Sequence, residues 1–174
     1  MRNNRTTFML ILALCFTLRL LFFMAEKPWN PQVQSHVLLY YDSLGYHNLA
    51  TTLLHSGRFA SNPKAEPDAL RTPLYPLFVA SSYALFGERP WVTLLIQIML
   101  DTASCYILMV TVIYLFDSRI AVGASFLYAL NPFLIVNCST LLSDVLFVFL
   151  LICSFAIFAV AYKSTNRNKY FYFY

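Results

Sequence analysis

VLFVFLLICSFAIFAVAY, residues Val145–Tyr162, is an apolar run without a single charged residue. A helix needs about 17–25 mostly apolar residues to cross the hydrocarbon of a bilayer, so this stretch reads as a transmembrane span. Three other runs match it: Phe8–Ala25, Trp91–Phe116 and Ile120–Asn137. Composition agrees. The chain is 59% hydrophobic and 11% charged, against about 25% charged in an ordinary soluble domain. It lacks the charge to coat its core with a polar skin. Its 16 Phe and 12 Tyr suit a membrane interface, where amphipathic rings collect. The expected fold is an all-α membrane protein, a polytopic helical bundle of about four transmembrane helices plus an interfacial helix in the first external loop.

That interfacial helix is Pro73–Gly87, a shorter apolar run punctuated by Pro73, Pro76 and Ser81-Ser82. Its length suits an interfacial or re-entrant helix better than a full crossing. Charge orients the rest. Arg2 and Arg5 precede the first span, and Lys163, Arg167 and Lys169 follow the last. Cytoplasmic flanks attract Lys and Arg, so both ends are expected inside, which requires an even number of crossings. Residues 26–90 and the Asn137–Asp144 turn then lie outside, while Asp117-Ser118-Arg119 and the tail 163–174 lie inside. A net charge of +4 gathered at the ends fits topology control and not nucleic-acid binding. The basic, apolar start also resembles a secretory signal. Against that, Arg19 runs straight into Leu20-Leu21-Phe22-Phe23 without a small-x-small cleavage site, so an uncleaved helix is expected.

The first external loop carries most of the chemistry. Tyr40–Phe59 has Asp42, Tyr46, Leu49, Leu53 and Leu54 at helical spacing, and Gly57 is placed to end that helix. Asn62-Pro63-Lys64-Ala65-Glu66-Pro67-Asp68 is a polar, proline-marked loop. Arg71 then precedes Thr72-Pro73, with the proline suited to a first helical turn. Asp42 thus opens one short helix and Arg71 sits just before another. Glycosyl transfer from a phosphate-linked lipid needs a carboxylate near the acceptor hydroxyl or amine. It also needs a cation or helix N-terminus beside the departing phosphate. Asp42 can supply the first, and Arg71 with the helix start at Pro73 the second. Taken alone, Asp42 reads first as a plain N-cap. Asp144, in the outer turn Thr140-Leu141-Leu142-Ser143-Asp144, puts a second acid on the same face and strengthens the functional reading.

Other residues are less informative. Arg19 is costly in hydrocarbon, and it either snorkels to a headgroup or faces the bundle to meet a lipid phosphate or a carboxylate. Asp101, in mid-span, is expected to pair with Arg19 or to hydrogen-bond within the bundle. Cys15, Cys105, Cys138 and Cys153 are scattered among apolar segments and read as small hydrophobes, not as a disulfide or metal framework. Asn137-Cys138-Ser139 fits a glycosylation sequon but lies against the membrane. His36, His47 and His55 share no metal-ligand spacing, and His47 reads as a surface residue.

Asp42-x3-Tyr46-x3-Ala50, Gly57-x-Phe59 and Arg71-Thr72-Pro73-Leu74-Tyr75-Pro76 together resemble the first external loop of GT-C-type glycosyltransferases. The family 39 group is nearest, including protein O-mannosyltransferases and lipid A aminoarabinose transferases. Gly87 and Asn131-Pro132 fit the same cadence, and the resemblance runs from about residue 8 to about 162. It implies an integral, multi-pass membrane enzyme using a polyprenyl-phosphate sugar donor and a lipid or protein acceptor. It would act with inversion at the periplasmic or luminal face, in a bacterial inner membrane by preference or in the ER membrane of a eukaryote. Asp42 and Asp144 are then candidate catalytic residues, and Arg71, Tyr46, Tyr75 and Arg19 candidate substrate contacts.

The chain departs from the family pattern in two ways. Ser43 stands where many relatives carry a second acid, so no cofactor is expected and a bidentate metal site is weakly supported. Relatives also have further spans and usually a soluble region beyond, whereas this sequence stops at Tyr174. It reads as the N-terminal portion of such an enzyme. The alternative is a membrane subunit that kept the fold, lost activity and needs a partner. A transporter fits worst, because the polar groups gather at the outer face and no internal repeat is visible.

Overall fold

The computed structural model describes residues 2–30 and 41–171. Pro31 and His36 of the expected external loop, and residues 172–174 of the tail, lie outside the described residues. Among the described residues seven helices follow one another: α1 (Arg2–Glu26), α2 (Tyr41–Ser56), α3 (Leu74–Phe86), α4 (Pro90–Leu115), α5 (Ser118–Leu130), α6 (Pro132–Asn137) and α7 (Asp144–Phe171). Among the described residues there is no strand. The molecule is the all-helical membrane bundle expected from hydropathy.

Among the described residues three stretches are long and apolar enough to cross a membrane: Arg5–Glu26, Pro90–Leu115 and Asp144–Ser164. At 1.5 Å per residue, the 26 residues of α4 reach about 39 Å, more than the roughly 30 Å of hydrocarbon. The fourth expected span, 120–137, is interrupted. α5 has 13 residues and α6 only 6, about 20 and 9 Å, and neither crosses alone. The cause is Asn131-Pro132. Proline has no N–H to continue the ladder, and the Asn131 side chain accepts the N–H groups of Phe133 (3.0 Å) and Leu134 (3.4 Å) to start α6 afresh. α3, also 13 residues, is likewise too short to span.

The break frees the Ala129 carbonyl inside the bundle, and Arg19 takes it. Pro132 cannot donate to Tyr128, whose carbonyl accepts the Asn131 N–H at 3.2 Å instead, and Phe133 has turned its N–H to Asn131 Oδ1 instead of Ala129. The Arg19 guanidinium donates to the Ala129 carbonyl and to that of Cys15, both at 3.0 Å, and to that of Tyr128 at 3.5 Å. Its Nε is paired with Asp101, whose other oxygen accepts the Tyr128 hydroxyl at 2.7 Å. Arg19 and Asp101 are 0% and 1% exposed. The expectation that Asp101 pairs with Arg19 is met. Of the two settings open to Arg19, the headgroup gives way to the interior, because three carbonyls and a carboxylate compensate its charge there.

α4 is the central helix, packed against α1, α3, α5 and α7. Two cores result. Ile11, Cys15, Cys105, Met109, Ala121 and Ala129 join α1, α4 and α5. At the other end, Phe23, Ala50, Tyr75, Val79, Tyr83, Leu94, Ile98, Leu141 and Val145 bring α2 and α3 onto α1, α4 and the start of α7. This second core seats the candidate site. Large side chains of α7, among them Phe147, Phe155, Ile157 and Phe158, stay exposed, as lipid-facing residues do.

Candidate functional site

α2 starts at Tyr41 and ends at Ser56, where Gly57 adopts φ 67° and its N–H returns to the Leu53 carbonyl at 3.0 Å. This is the left-handed stop that glycine permits. Asp42 therefore occupies the first turn of α2, with its carboxylate 68% exposed. The chain returns through the proline-marked loop to Arg71. The Arg71 Nη2 donates to Asp42 Oδ1 at 3.3 Å, closing a contact between residues 29 apart in sequence. An exposed pair like this contributes little stability.

Arg71 is held from several sides and is only 17% exposed. Asp68 Oδ1 accepts the backbone N–H groups of Leu70 (2.8 Å) and Arg71 (3.0 Å), and Oδ2 accepts Arg71 Nη1 at 3.2 Å. Burial raises the Asp68 pKa, but these hydrogen bonds and the Arg71 charge outweigh it and hold the carboxyl below its ordinary value. The guanidinium also lies 5.7 Å from the centre of the Tyr46 ring, within cation–π range. Its Nε is buried without a partner.

Tyr46 joins this cluster to the far end of the chain. Its ring meets that of Tyr75 edge-on at 4.7 Å, and its hydroxyl lies 3.3 Å from Ser143 Oγ. Tyr75 is buried, and its hydroxyl donates to Gln97 Oε1 at 2.5 Å. Gln97 Nε2 donates in turn to the carbonyls of Thr140 (2.9 Å) and Asn137 (3.4 Å). The 137–144 turn is thus fastened to α3 and α4, and Asp144 begins α7 with its side chain exposed. Thr72, Tyr75, Ser143 and Asp144 line a cleft of about 200 Å³ whose other wall is Leu74, Leu146, Phe147 and Leu150. One side is polar and the other is continuous with the apolar face of α7.

Asp42, Arg71, Tyr46, Tyr75 and Asp144 are accordingly gathered at one end of the bundle. Arg19 is not among them. It sits in the other core against Asp101, where contact with a substrate would require breaking that pair. Position 43 also differs from a second-acid position, because Ser43 is fully buried and a carboxylate there would face desolvation. Among the described residues, no three His, Cys, Asp or Glu side chains converge as a metal-ligand set. His47 is half-buried rather than on the surface, and its Nδ1 shares a 2.9 Å hydrogen bond with the Tyr83 hydroxyl. Burial lowers its pKa, partly offset by Glu88.

Sequence reasoning misses four participants. Asp68 carries a weak signal, an acid three residues before Arg71 in a turn. Gly45, Gln97 and Ser143 carry none, since their roles depend on neighbours distant in sequence.

A profile of the dolichyl-phosphate-mannose-protein mannosyltransferase family matches residues 70–174. The matched part includes Arg71, Tyr75 and Asp144 and begins after Asp42 and Tyr46. No curated protein and no solved structure is matched by the chain. With more than half its length matched, and with helices apolar enough to cross a bilayer, the chain belongs to the dolichyl-phosphate-mannose-protein mannosyltransferase family, membrane glycosyltransferases of the GT-C type.

Proposed function

We propose that this protein transfers a sugar from a polyprenyl-phosphate donor to a lipid or protein acceptor at the periplasmic or luminal face, with inversion. The observation that carries the reading is the exposed Asp42 carboxylate held 3.3 Å from the Arg71 guanidinium, in a cluster that Tyr46 ties to the Asp144 cleft. Asp42 removes the proton of the acceptor hydroxyl or amine as that atom attacks the anomeric carbon. The bond from that carbon to the phosphate oxygen breaks, the phosphate leaves with the electron pair, and configuration inverts. Arg71 and the start of α3 offset the charge gained by the phosphate. Asp144 and the Tyr46 and Tyr75 rings orient the sugar or acceptor, while the apolar wall of the cleft faces the prenyl chain.

The same reading takes α5 and α6 together as a fourth, broken crossing. Their roughly 29 Å of combined helix is about the hydrocarbon thickness, and both basic ends then stay in the cytoplasm. The deciding experiment follows labelled mannose from polyprenyl-phosphate mannose into acceptor, in membranes containing this chain or Asp42→Asn at matched abundance. Transfer by the parent and its loss in the variant support the reading. Equal transfer removes Asp42 from the chemistry, and no transfer by either favours a subunit that needs a partner.

A further inference from the structure

We propose that Gly45 and Asp68 are positioning residues that seat the Arg71 guanidinium against Asp42; their bearing on catalysis rests on the roles proposed for Asp42 and Arg71. Gly45 lies inside α2, where glycine is a poor helix former compared with alanine. Its place is explained by what lies over it. A Cβ at position 45 would stand 2.5 Å from Arg71 Cζ and Nη2 and 2.8 Å from Nε. The guanidinium therefore rests on bare helix backbone, at a distance no other residue permits. The Arg71 Nε has no acceptor, so that edge is oriented by shape, by the Gly45 backbone and the Tyr46 ring.

Asp68 acts from the opposite side. One oxygen holds the Leu70 and Arg71 backbone N–H groups and so fixes where the arginine leaves the chain. The other oxygen holds Nη1 at 3.2 Å, leaving Nη2 for Asp42 at 3.3 Å. With only 8% of its side chain exposed, Asp68 is poorly placed to touch a substrate. Its effect on the reaction is transmitted through Arg71.

The test uses the full chain in detergent micelles and compares Gly45→Ala, Asp68→Asn and Arg71→Ala, singly and with each of the first two added to the third. Alanine at 45 favours the helix and meets only the flexible end of Arg71, so α2 persists while the guanidinium is displaced. Gly45→Ala is expected to keep the thermal midpoint of the parent or raise it. It should lower kcat for transfer from polyprenyl-phosphate mannose by about tenfold or more, with a smaller change in KM. In the Arg71→Ala background it should do nothing further, because no guanidinium is left to displace. Asp68→Asn should show the same dependence on Arg71. Hydrogen exchange across residues 57–73 supplies a readout independent of turnover. Faster exchange in Gly45→Ala, but not when that change is added to Arg71→Ala, supports the seating even if no variant transfers sugar; in that case it is the glycosyltransferase reading that falls. Parental exchange in Gly45→Ala, or an equal effect of Gly45→Ala with and without Arg71, overturns the proposal.

Discussion

The hydroxyl of Tyr46 lies 3.3 Å from Ser143 Oγ, across 97 residues of chain. Ser143 immediately precedes Asp144, and Tyr46 stands one turn after Asp42 on α2, so this contact brings both acids to one end of the bundle.

Tyr46→Phe isolates that link. The ring keeps its contacts with Tyr75 and Arg71 and loses only the hydroxyl. A destabilisation of about 0.5–1.5 kcal/mol is expected, the ordinary worth of one hydrogen bond. Tyr46→Ala should cost more, because it also removes the ring packing. Thermal unfolding in detergent compares the two, and equal losses would show that the ring contributes nothing.

Gln97 should be less forgiving. Its side-chain amide serves the Tyr75 hydroxyl and the Thr140 and Asn137 carbonyls from a fully buried position. Gln97→Leu orphans the buried Tyr75 hydroxyl, at about 1–3 kcal/mol, while the Thr140 and Asn137 carbonyls keep the N–H groups of Leu142 and Thr140. Adding Tyr75→Phe removes that hydroxyl, so the double variant should be more stable than the sum of the singles. Strict additivity in thermal melts would show that the Tyr75–Gln97 bond carries no coupling.

The buried pair gives the largest expected effect. Arg19→Met leaves the Asp101 carboxylate uncompensated, at about 3–5 kcal/mol. Arg19→Met with Asp101→Leu should recover part of that, but not all, since the Ala129 carbonyl loses its donor. Folded yield and thermal midpoint measure it. Full recovery in the double variant would show that capping the broken helix is not a role of Arg19.

His47 makes the α2–α3 contact sensitive to acid. Burial lowers its folded pKa below the ordinary 6.5, so the unfolded chain takes up its proton first as pH falls. The neutral ring's contribution is complete above 6.5 and is lost as pH drops from there through the lower folded value. The thermal midpoint should fall as pH drops below the ordinary 6.5, and His47→Asn should flatten that slope. His55, paired with Glu88 nearby, remains in both proteins. An unchanged slope in the variant would show that His47 is not the group responsible.

Part of the fold and of the site is legible in the residues themselves. Val145–Tyr162 announces a span by length and apolarity, and Gly57 ends α2 where periodicity stops. Asp42 and Arg71 stand out because each sits at a helix start in a polar loop of an apolar chain. Ile120–Asn137 shows one apolar run and hides its break, because hydropathy sums side chains and does not register that Pro132 lacks an N–H. Arg19 reads on sequence as a substrate contact, since charge in an apolar run signals function without revealing its partner.

The amino-acid order by itself determined the membrane setting, the helical class, most helix ends and the two acids worth attention. Those depend on hydropathy, capping and proline chemistry, which act within a few residues. Only the tertiary structure decided that Arg71 rests on Gly45 between Asp42 and Asp68, that Gln97 fastens the Asp144 turn to Tyr75, and that Arg19 caps a broken helix. Each of these depends on how segments distant in sequence pack, and the hydrogen that Gly45 carries in place of a Cβ becomes meaningful only once another segment lies against it.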